Sequence, residues 1–406
     1  MKLWRGWLQD ASGSVADLGV LAPIAVALIL GNGLDAGTVL VGAGGLYLVA
    51  GLYFRVPVPV QPIKAAAAIA IARGLSPETI GAAGIALGIL LVILAATGAA
   101  RALARVFALP LVRGLQLGVG LILVRTAIEL AGSEGRVGPV LIAACVAAAL
   151  VVASRTRPSL PLALVLVVGS AIWAALATGV APGIEVALWQ PNLNTGALDL
   201  SVVASALVLL VVPQIPLTFG NAVVAVVDLE HRYFPLNARK VTPAAVSYSS
   251  GLANVGVGLL GGMPMCHGSG GLTAHYRAGA RTHRMNAVIG GVLVTLGLFF
   301  GTTAIGIIGL IPVTVLAGSL AFTGCFHASL AASLRESDLA IALLMGTIGL
   351  LTTNLAIALL VGVAVYWSAA FVADRRIDGV VTASSRSHAE SRHPVASGSE
   401  SNIRFG

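Results

Sequence analysis

The chain has 406 residues, of which 57% are hydrophobic and 10% are charged, and its mean hydropathy is +0.96. This composition excludes a soluble globular domain and indicates a polytopic membrane protein. The net charge of +8 does not indicate binding to nucleic acid, because the basic residues lie mainly in short loops between apolar segments.

Apolar segments long enough to cross a membrane follow one another along the chain. Seven lie in a first repeat at residues 1–181 and seven in a second repeat at 200–373, with a polar loop at 182–199 between them. Residues 374–406 form a polar tail that we expect to be disordered. The predicted spans are 14–31, 37–54, 57–73, 79–99, 109–130, 137–153, 160–180, 200–227, 243–261, 263–280, 285–302, 304–331, 336–352 and 354–373.

The basic residues predict the orientation of these spans, since Lys and Arg concentrate in cytoplasmic loops. With both termini in the cytoplasm, only Arg73 and Arg136 fall clearly on the outer side. We therefore expect fourteen spans in the cell (inner) membrane, and seven per repeat means that the two repeats have opposite orientations.

The stretch PVPVQPIK at residues 57–64 predicts a helix that starts inside the membrane. Its three prolines force an extended backbone, and a helix from Pro62 to Arg73 would be about 18 Å long at 1.5 Å per residue. Such a half-helix spans little more than half of the hydrocarbon core, and its N-terminus together with Lys64 suits an anion. The alternative is a surface loop in which Lys64 only reaches the lipid headgroups.

A second glycine-rich break, GGMPMCHGSGG at residues 261–271, predicts a matching half-helix from Gly270 to Arg281. Pro62 and Pro264 are 202 residues apart, and so are Pro110 and Pro312. This common offset supports an inverted repeat, in which the N-termini of two half-helices face each other near the middle of the membrane. Two positive dipole ends at one place favour an anionic ligand.

Several polar residues near these breaks are candidates for the site. Gln214, Thr218 and Asn221 share one helix face at spacings of four and three, where they either bind an oxyanion or form hydrogen bonds between spans. Asp17 occupies the equivalent place in the first repeat, and a carboxylate there either binds a coupling proton or pairs with Lys64.

The second break offers its own polar groups. Ser269 supplies a hydroxyl and Gly268 a free N–H, while His267 either donates to a substrate, carries a proton, or packs structurally. A catalytic pair of Cys266 and His267 is not expected, because adjacent residues seldom present both side chains to one atom. We expect no enzyme activity and no cofactor. We also expect no metal site, since the three cysteines lack the spacing of one.

Two acidic residues lie at a predicted cytoplasmic boundary. Asp228 and Glu230 are assigned to a loop network with His231 and Arg232.

The two motifs PVPVQPIKAAAAIAIA and GMPMCHGSGGLTAHYRAGAR resemble the paired signatures of the molybdate transporter family within the sulfate permease (SulP) superfamily. The stretches ADLGVLAPI and IPLTFGNAVVAVVDLE are similar to that family too. The resemblance implies an all-α fold of seven plus seven inverted repeats, with core and gate domains, an elevator-like movement and homodimers. We expect no regulatory STAS domain of the kind found in ordinary sulfate permeases, because the tail at 374–406 is too short for one. The implied substrate-binding residues are Gln61, Lys64, Gln214, Thr218, Asn221, His267, Gly268 and Ser269.

These features predict a secondary active importer of a tetrahedral oxyanion across the lipid bilayer, coupled to protons. The resemblance makes molybdate the first candidate and sulfate the second, and these two anions differ mainly in size. The alternatives are a dicarboxylate or nucleobase transporter of the same fold, a passive anion channel, a membrane sensor with a transporter-like body, and an intramembrane enzyme.

Overall fold

The structure, a computed structural model, describes residues 2–133, 135–157, 160–179, 186, 188–369 and 371. The predicted disordered tail and part of the loop at 182–199 lie outside the described residues. The contacts described below lie within residues 1–362, which form one compact unit. The helices are α1 (Lys2–Ser14), α2 (Leu18–Asn32), α3 (Ala36–Phe54), α4 (Lys64–Arg73), α5 (Pro77–Ala96), α6 (Ala99–Ala104), α7 (Leu109–Ala131), α8 (Val137–Thr156), α9 (Leu162–Thr178), α10 (Leu200–Tyr233), α11 (Pro243–Leu259), α12 (Ser269–Arg277), α13 (Arg284–Phe300), α14 (Thr303–Gly309), α15 (Val313–Ala328), α16 (Glu336–Thr352) and α17 (Leu355–Ala369).

Each of the fourteen predicted spans overlaps at least one of these helices. By length and composition, 7 helices in the described part of the chain can cross a membrane, and α9, α13 and α17 contain shorter apolar helices. The two half-helices are shorter than predicted, because α4 begins at Lys64 and α12 runs from Ser269 to Arg277. The chain is therefore a membrane-spanning helical protein with two interrupted segments.

The two interruptions pair with each other. Strand β1 (Gln61–Pro62) is antiparallel to β2 (Met265–Cys266), with Pro62 opposite Met265. The Ile63 N–H donates to the Pro264 carbonyl at 3.1 Å, so the pairing centres on the two prolines that the 202-residue offset makes equivalent. The N-termini of α4 and α12, which follow these strands directly, are thereby brought together.

Helix packing repeats the same symmetry. The second span of each repeat packs along the fourth span of the other, giving the pairs α3 with α13 and α5 with α11. These helices approach closely at glycines: a Cβ at Gly88 would lie 2.6 Å from the Gly251 carbonyl, and one at Gly44 would lie 2.7 Å from the Gly290 carbonyl. Small residues at such crossings let membrane helices pack by backbone contact.

The helices form two groups. The first group contains α2–α5 and α10–α13, whose buried apolar side chains make up most of one large cluster. In the second group α7 packs against α15 and α16, and α15 packs against α8. A smaller cluster that includes Leu150, Phe322 and Phe326 lies in this second group. The half-helices belong to the first group and face the second across the cavity described next.

Candidate functional site

Three side chains form a hydrogen-bonded relay beside the start of the first half-helix, namely Lys64, Gln61 and Asp17. Lys64 Nζ donates to Gln61 Oε1 at 2.6 Å, and Gln61 Nε2 donates to Asp17 Oδ1 at 2.5 Å. Gln61 and Asp17 are buried, at 0% and 2% exposure, whereas Lys64 is only partly buried. Asp17 and Lys64 are therefore linked by hydrogen bonds through Gln61 and do not form a direct ion pair.

The second half-helix fits closely against this relay. A Cβ at Gly268 would overlap Gln61 Oε1, and one at Gly271 would lie 2.5 Å from Asp17 Oδ2. Only glycine at these positions lets the start of α12 approach the Gln61 side chain. The Asp17 Oδ2 atom is buried without a hydrogen-bond partner among the described residues.

Helix α10 supplies the neutral polar groups, and its backbone widens into π-helical turns at Leu207–Val211 and Thr218–Val224. Gln214 Oε1 accepts from the Ala66 N–H at 3.0 Å, and Gln214 Nε2 donates to Thr218 Oγ1 at 2.9 Å. Gln214 thus caps the N-terminus of α4, where a free N–H would otherwise be unsatisfied. Wide turns of this kind are frequent at functional sites.

His267 points away from these groups. Its Nδ1 lies 2.8 Å from the Pro59 carbonyl and its Nε2 lies 2.9 Å from Ser249 Oγ, and its ring packs edge-on against Phe54. A carbonyl can only accept, so Nδ1 carries the proton and the Ser249 hydroxyl donates to Nε2. Both ring nitrogens are occupied by protein partners.

Ser269 is buried at 0% exposure and faces α10 and α15. Its hydroxyl donates to Asn221 Oδ1 at 2.5 Å, and His327 Nε2 lies 3.0 Å from Ser269 Oγ. Ser269 therefore fixes the position of the Asn221 side-chain amide by a hydrogen bond.

A cavity of about 590 Å³ lies between the two groups of helices. Four of the predicted residues line it, namely Lys64, Gln214, Thr218 and Asn221. The other five, Asp17, Gln61, His267, Gly268 and Ser269, lie behind this wall. On the side of the second group the wall consists mainly of α7 residues from Val119 to Leu130, Leu320 of α15 and the turn at residues 352–356.

The cavity mouth contains a residue that the sequence did not place in the site. Arg73, in the last turn of α4, lines the cavity near the exposed residues Thr352, Thr353 and Asn354. Cys266 lines the cavity as well. The sequence had marked Arg73 as one of two basic residues on the predicted outer side, and that placement was the feature that could have identified it as part of the site. His327 gave no signal, because it lies alone in an apolar segment.

The predicted loop network around Asp228 and Glu230 was wrong. Asp228 pairs with Arg113 at 2.5 Å, and His231 Nε2 lies 2.9 Å from the Val241 carbonyl. Both carboxylate oxygens of Glu230 are buried without a hydrogen-bond partner in the described ranges. The α10 helix continues to Tyr233, which places these side chains on a helix packed against α7 and α12 and not in a loop. Arg125 and Glu129, one turn apart on α7, form an ion pair, with Arg125 Nε 2.7 Å from Glu129 Oε1.

The family model described as "Molybdate transporter of MFS superfamily" matches residues 9–123 and 206–326. These two blocks cover more than half of the chain and include both interrupted segments. The chain belongs to this molybdate transporter family. Relatives include two proteins of Arabidopsis thaliana: Molybdate transporter 1, 30% identical over 90% of this chain and 88% of the relative, and Molybdate transporter 2, 29% identical over 79% of this chain and 80% of the relative.

Two solved structures share the fold of this chain. The transmembrane domain of the cyanobacterial bicarbonate transporter BicA aligns with a TM-score of 0.55 and 17% identity, covering 88% of this chain and 96% of that domain. The structure of SLC26A9 aligns with a TM-score of 0.56 and 14% identity, covering 92% of this chain and 66% of that protein. The fold of this family member is therefore the inverted-repeat core and gate fold.

Proposed function

We propose that this molybdate transporter family member is a secondary active importer of a tetrahedral divalent oxyanion, with molybdate as the first candidate and sulfate as the second. One observation carries the proposal: the residues that line the cavity include two cations, Lys64 and Arg73, and no carboxylate within the described part of the chain. A wall of this kind attracts anions and offers nothing to hold a cation.

The inner end of the cavity provides the groups that a small oxyanion needs. Lys64 lies in the first turn of α4, and its ammonium has further N–H donors besides the one given to Gln61. Gln214, Thr218 and Asn221 of α10, which packs beside α4, add neutral hydrogen-bonding groups to the same wall. Charge-assisted hydrogen bonds from a lysine and neutral donors around it suit the four oxygens of a tetrahedral anion.

The shape of the cavity favours a transporter over a passive channel. Its lining along α10 ends at Ala222, although the helix continues to Tyr233, and its lining along α7 begins at Val119. The described lining therefore opens toward one side of the membrane. With both termini in the cytoplasm, the open side is the outer one, and an elevator-like movement of the first group of helices against the second delivers the anion inward.

Asp17 is the group that we assign to proton coupling. A buried carboxylate with an unpartnered oxygen is costly when ionised, so it favours a bound proton. Its link to Lys64 through Gln61 makes the charge of the lysine site depend on that proton.

The binding experiment compares molybdate with sulfate by calorimetry on the purified protein and on the Lys64→Ala variant. We expect binding of molybdate that is at least tenfold weaker in the variant. The control is Lys240→Ala, which removes a surface lysine that contacts the Tyr53 carbonyl and ring. Binding that Lys64→Ala leaves unchanged would remove the basis for the proposed site.

The transport experiment uses proteoliposomes with an imposed pH gradient. We expect inwardly acidifying proton flow to drive molybdate accumulation in the wild type. The Asp17→Asn variant should exchange molybdate at equilibrium but lose the response to the gradient. Accumulation that ignores the gradient in the wild type contradicts proton coupling, and downhill flux without exchange favours the channel.

A further inference from the structure

His327 connects the site to a second layer of polar side chains that the substrate does not touch. It is fully buried on α15 and faces the first two turns of α12, with Nε2 3.0 Å from Ser269 Oγ and Nδ1 2.9 Å from Thr273 Oγ1. His327 does not line the cavity. Both of its ring nitrogens are instead used to join two hydroxyls that are four residues apart on one helix.

The chain of hydrogen bonds continues in both directions from His327. On one side, the Ser269 hydroxyl lies 2.5 Å from Asn221 Oδ1, and Asn221 lines the cavity. On the other side, Tyr233 OH lies 3.4 Å from Thr273 Oγ1. The five side chains thus form one continuous path from the cavity wall to the end of α10.

The chemistry of these groups gives the path a single direction. Asn221 Oδ1 can only accept, so the Ser269 hydroxyl donates to it and accepts from His327 Nε2–H. A neutral imidazole has one donor and one acceptor, so Nδ1 is unprotonated and the Thr273 hydroxyl donates to it. Hydrogen bonds that run in the opposite direction would require the Nδ1–H tautomer of His327. They would also require an Asn221 side-chain amide rotated by half a turn, so that Nδ2 and not Oδ1 faces Ser269.

The two directions present opposite groups of Asn221 to the cavity. With Oδ1 bound to Ser269, the Asn221 Nδ2 donors remain for the cavity, and they have no partner among the described residues. With the amide reversed, an acceptor oxygen would face the cavity and repel an oxyanion.

We propose that His327 is a positioning residue for anion binding, which as the Nε2–H tautomer fixes the Asn221 amide with its donors toward the cavity. This inference rests on the proposed function, since it concerns the same anion site. Thr273 takes part by donating to Nδ1, which selects the tautomer from the far side of the ring. Ser269, His327 and Thr273 therefore set the polarity of one wall of the site without lining the cavity.

The test replaces Thr273, which neither lines the cavity nor touches Asn221. Thr273→Val keeps the shape of the side chain and removes the hydroxyl, whereas Thr273→Ser keeps the hydroxyl and removes the methyl group. We expect Thr273→Val to raise the KM for molybdate uptake about three- to tenfold, the value of one hydrogen bond, with Vmax per folded transporter retained. Thr273→Ser should keep the KM close to that of the wild type.

A second pair of variants acts on the ring itself. His327→Gln retains an N–H that can reach Ser269, so it should recover most of the affinity that His327→Leu loses. A merely structural role would lower the yield of folded protein and Vmax in both pairs and leave the KM unchanged. Equal KM values for Thr273→Val and Thr273→Ser, or for the two His327 variants, would overturn the proposal. Loss of molybdate binding in Lys64→Ala is measured separately, so failure of this inference leaves the proposed function standing.

Discussion

Substitution of Gly268 by alanine tests the contact on which the whole site depends. The added Cβ would overlap Gln61 Oε1 and would lie 2.7 Å from Gln61 Cδ. Gln61 is 0% exposed, so its side chain cannot turn aside into solvent. The added methyl group would therefore displace it from the position in which it binds Lys64 and Asp17. It would then lose its hydrogen bonds to Lys64 and to Asp17, at 2.6 and 2.5 Å.

The magnitude follows from these two bonds. A hydrogen bond to a charged group contributes about 1.5–3 kcal/mol, so loss of the Lys64 bond alone predicts molybdate binding that is about 10- to 150-fold weaker. With the bond to a protonated Asp17 counted at the smaller value of a neutral hydrogen bond, about 0.5–1.5 kcal/mol, loss of both bonds lowers the free energy of unfolding by about 2–4.5 kcal/mol before the structure relaxes. Calorimetric titration of molybdate and thermal unfolding of the purified protein measure the two effects.

Two matched variants make the result specific. Gly270→Ala places a Cβ no closer than 3.4 Å to Leu123, which is ordinary contact, so we expect wild-type affinity and stability. In a Gln61→Ala background the steric conflict is absent, so Gly268→Ala should cost little more, and the double-mutant cycle should show strong coupling. Additive effects of the two substitutions, or wild-type affinity in Gly268→Ala, would refute the reasoning.

Three further predictions concern other parts of the molecule. Arg73→Gln should raise the KM for molybdate at low ionic strength and lose that effect in high salt, because a charge at the cavity mouth acts by screened attraction; Arg136→Gln, which does not line the cavity, should not show this pattern in uptake assays. Arg113→Gln should destabilise the protein by about 1.5–3 kcal/mol in thermal unfolding, because the partly exposed Asp228 would lose a charged hydrogen-bond partner, and the double variant with Asp228→Asn should recover part of that loss; equal stability of the two would contradict this. Cys266 lines the cavity, so a membrane-impermeant thiol reagent applied from the open side should modify it, and molybdate should slow the reaction; modification at an unchanged rate would place the anion elsewhere.

The site residues show where prediction from the sequence ends. Four predicted residues line the cavity, namely Lys64, Gln214, Thr218 and Asn221. They could be predicted because each lies on a helix whose start or polar face is visible in the local sequence. The local sequence cannot show that Gln214 caps α4, because the Ala66 N–H that it binds is 148 residues away along the chain.

His267 and His327 illustrate the opposite outcomes. His267 stands in a conspicuous motif, yet the Pro59 carbonyl and Ser249 occupy both of its ring nitrogens. His327 stands in an unremarkable apolar segment, yet it bridges two hydroxyls next to the site. The roles of both residues depend on partners that are distant in the sequence.

The sequence by itself determined that this protein crosses the membrane many times, that two of its segments are interrupted, and that its halves are related by a 202-residue offset. These features follow from hydropathy, proline and charge, which act over a few residues and need no knowledge of packing. Only the tertiary structure decided which polar groups face the cavity and which stand behind them. The pairing of β1 with β2 and the packing of α12 against α15 bring remote side chains together, and the direction of each buried hydrogen bond is set by the partner that packing supplies.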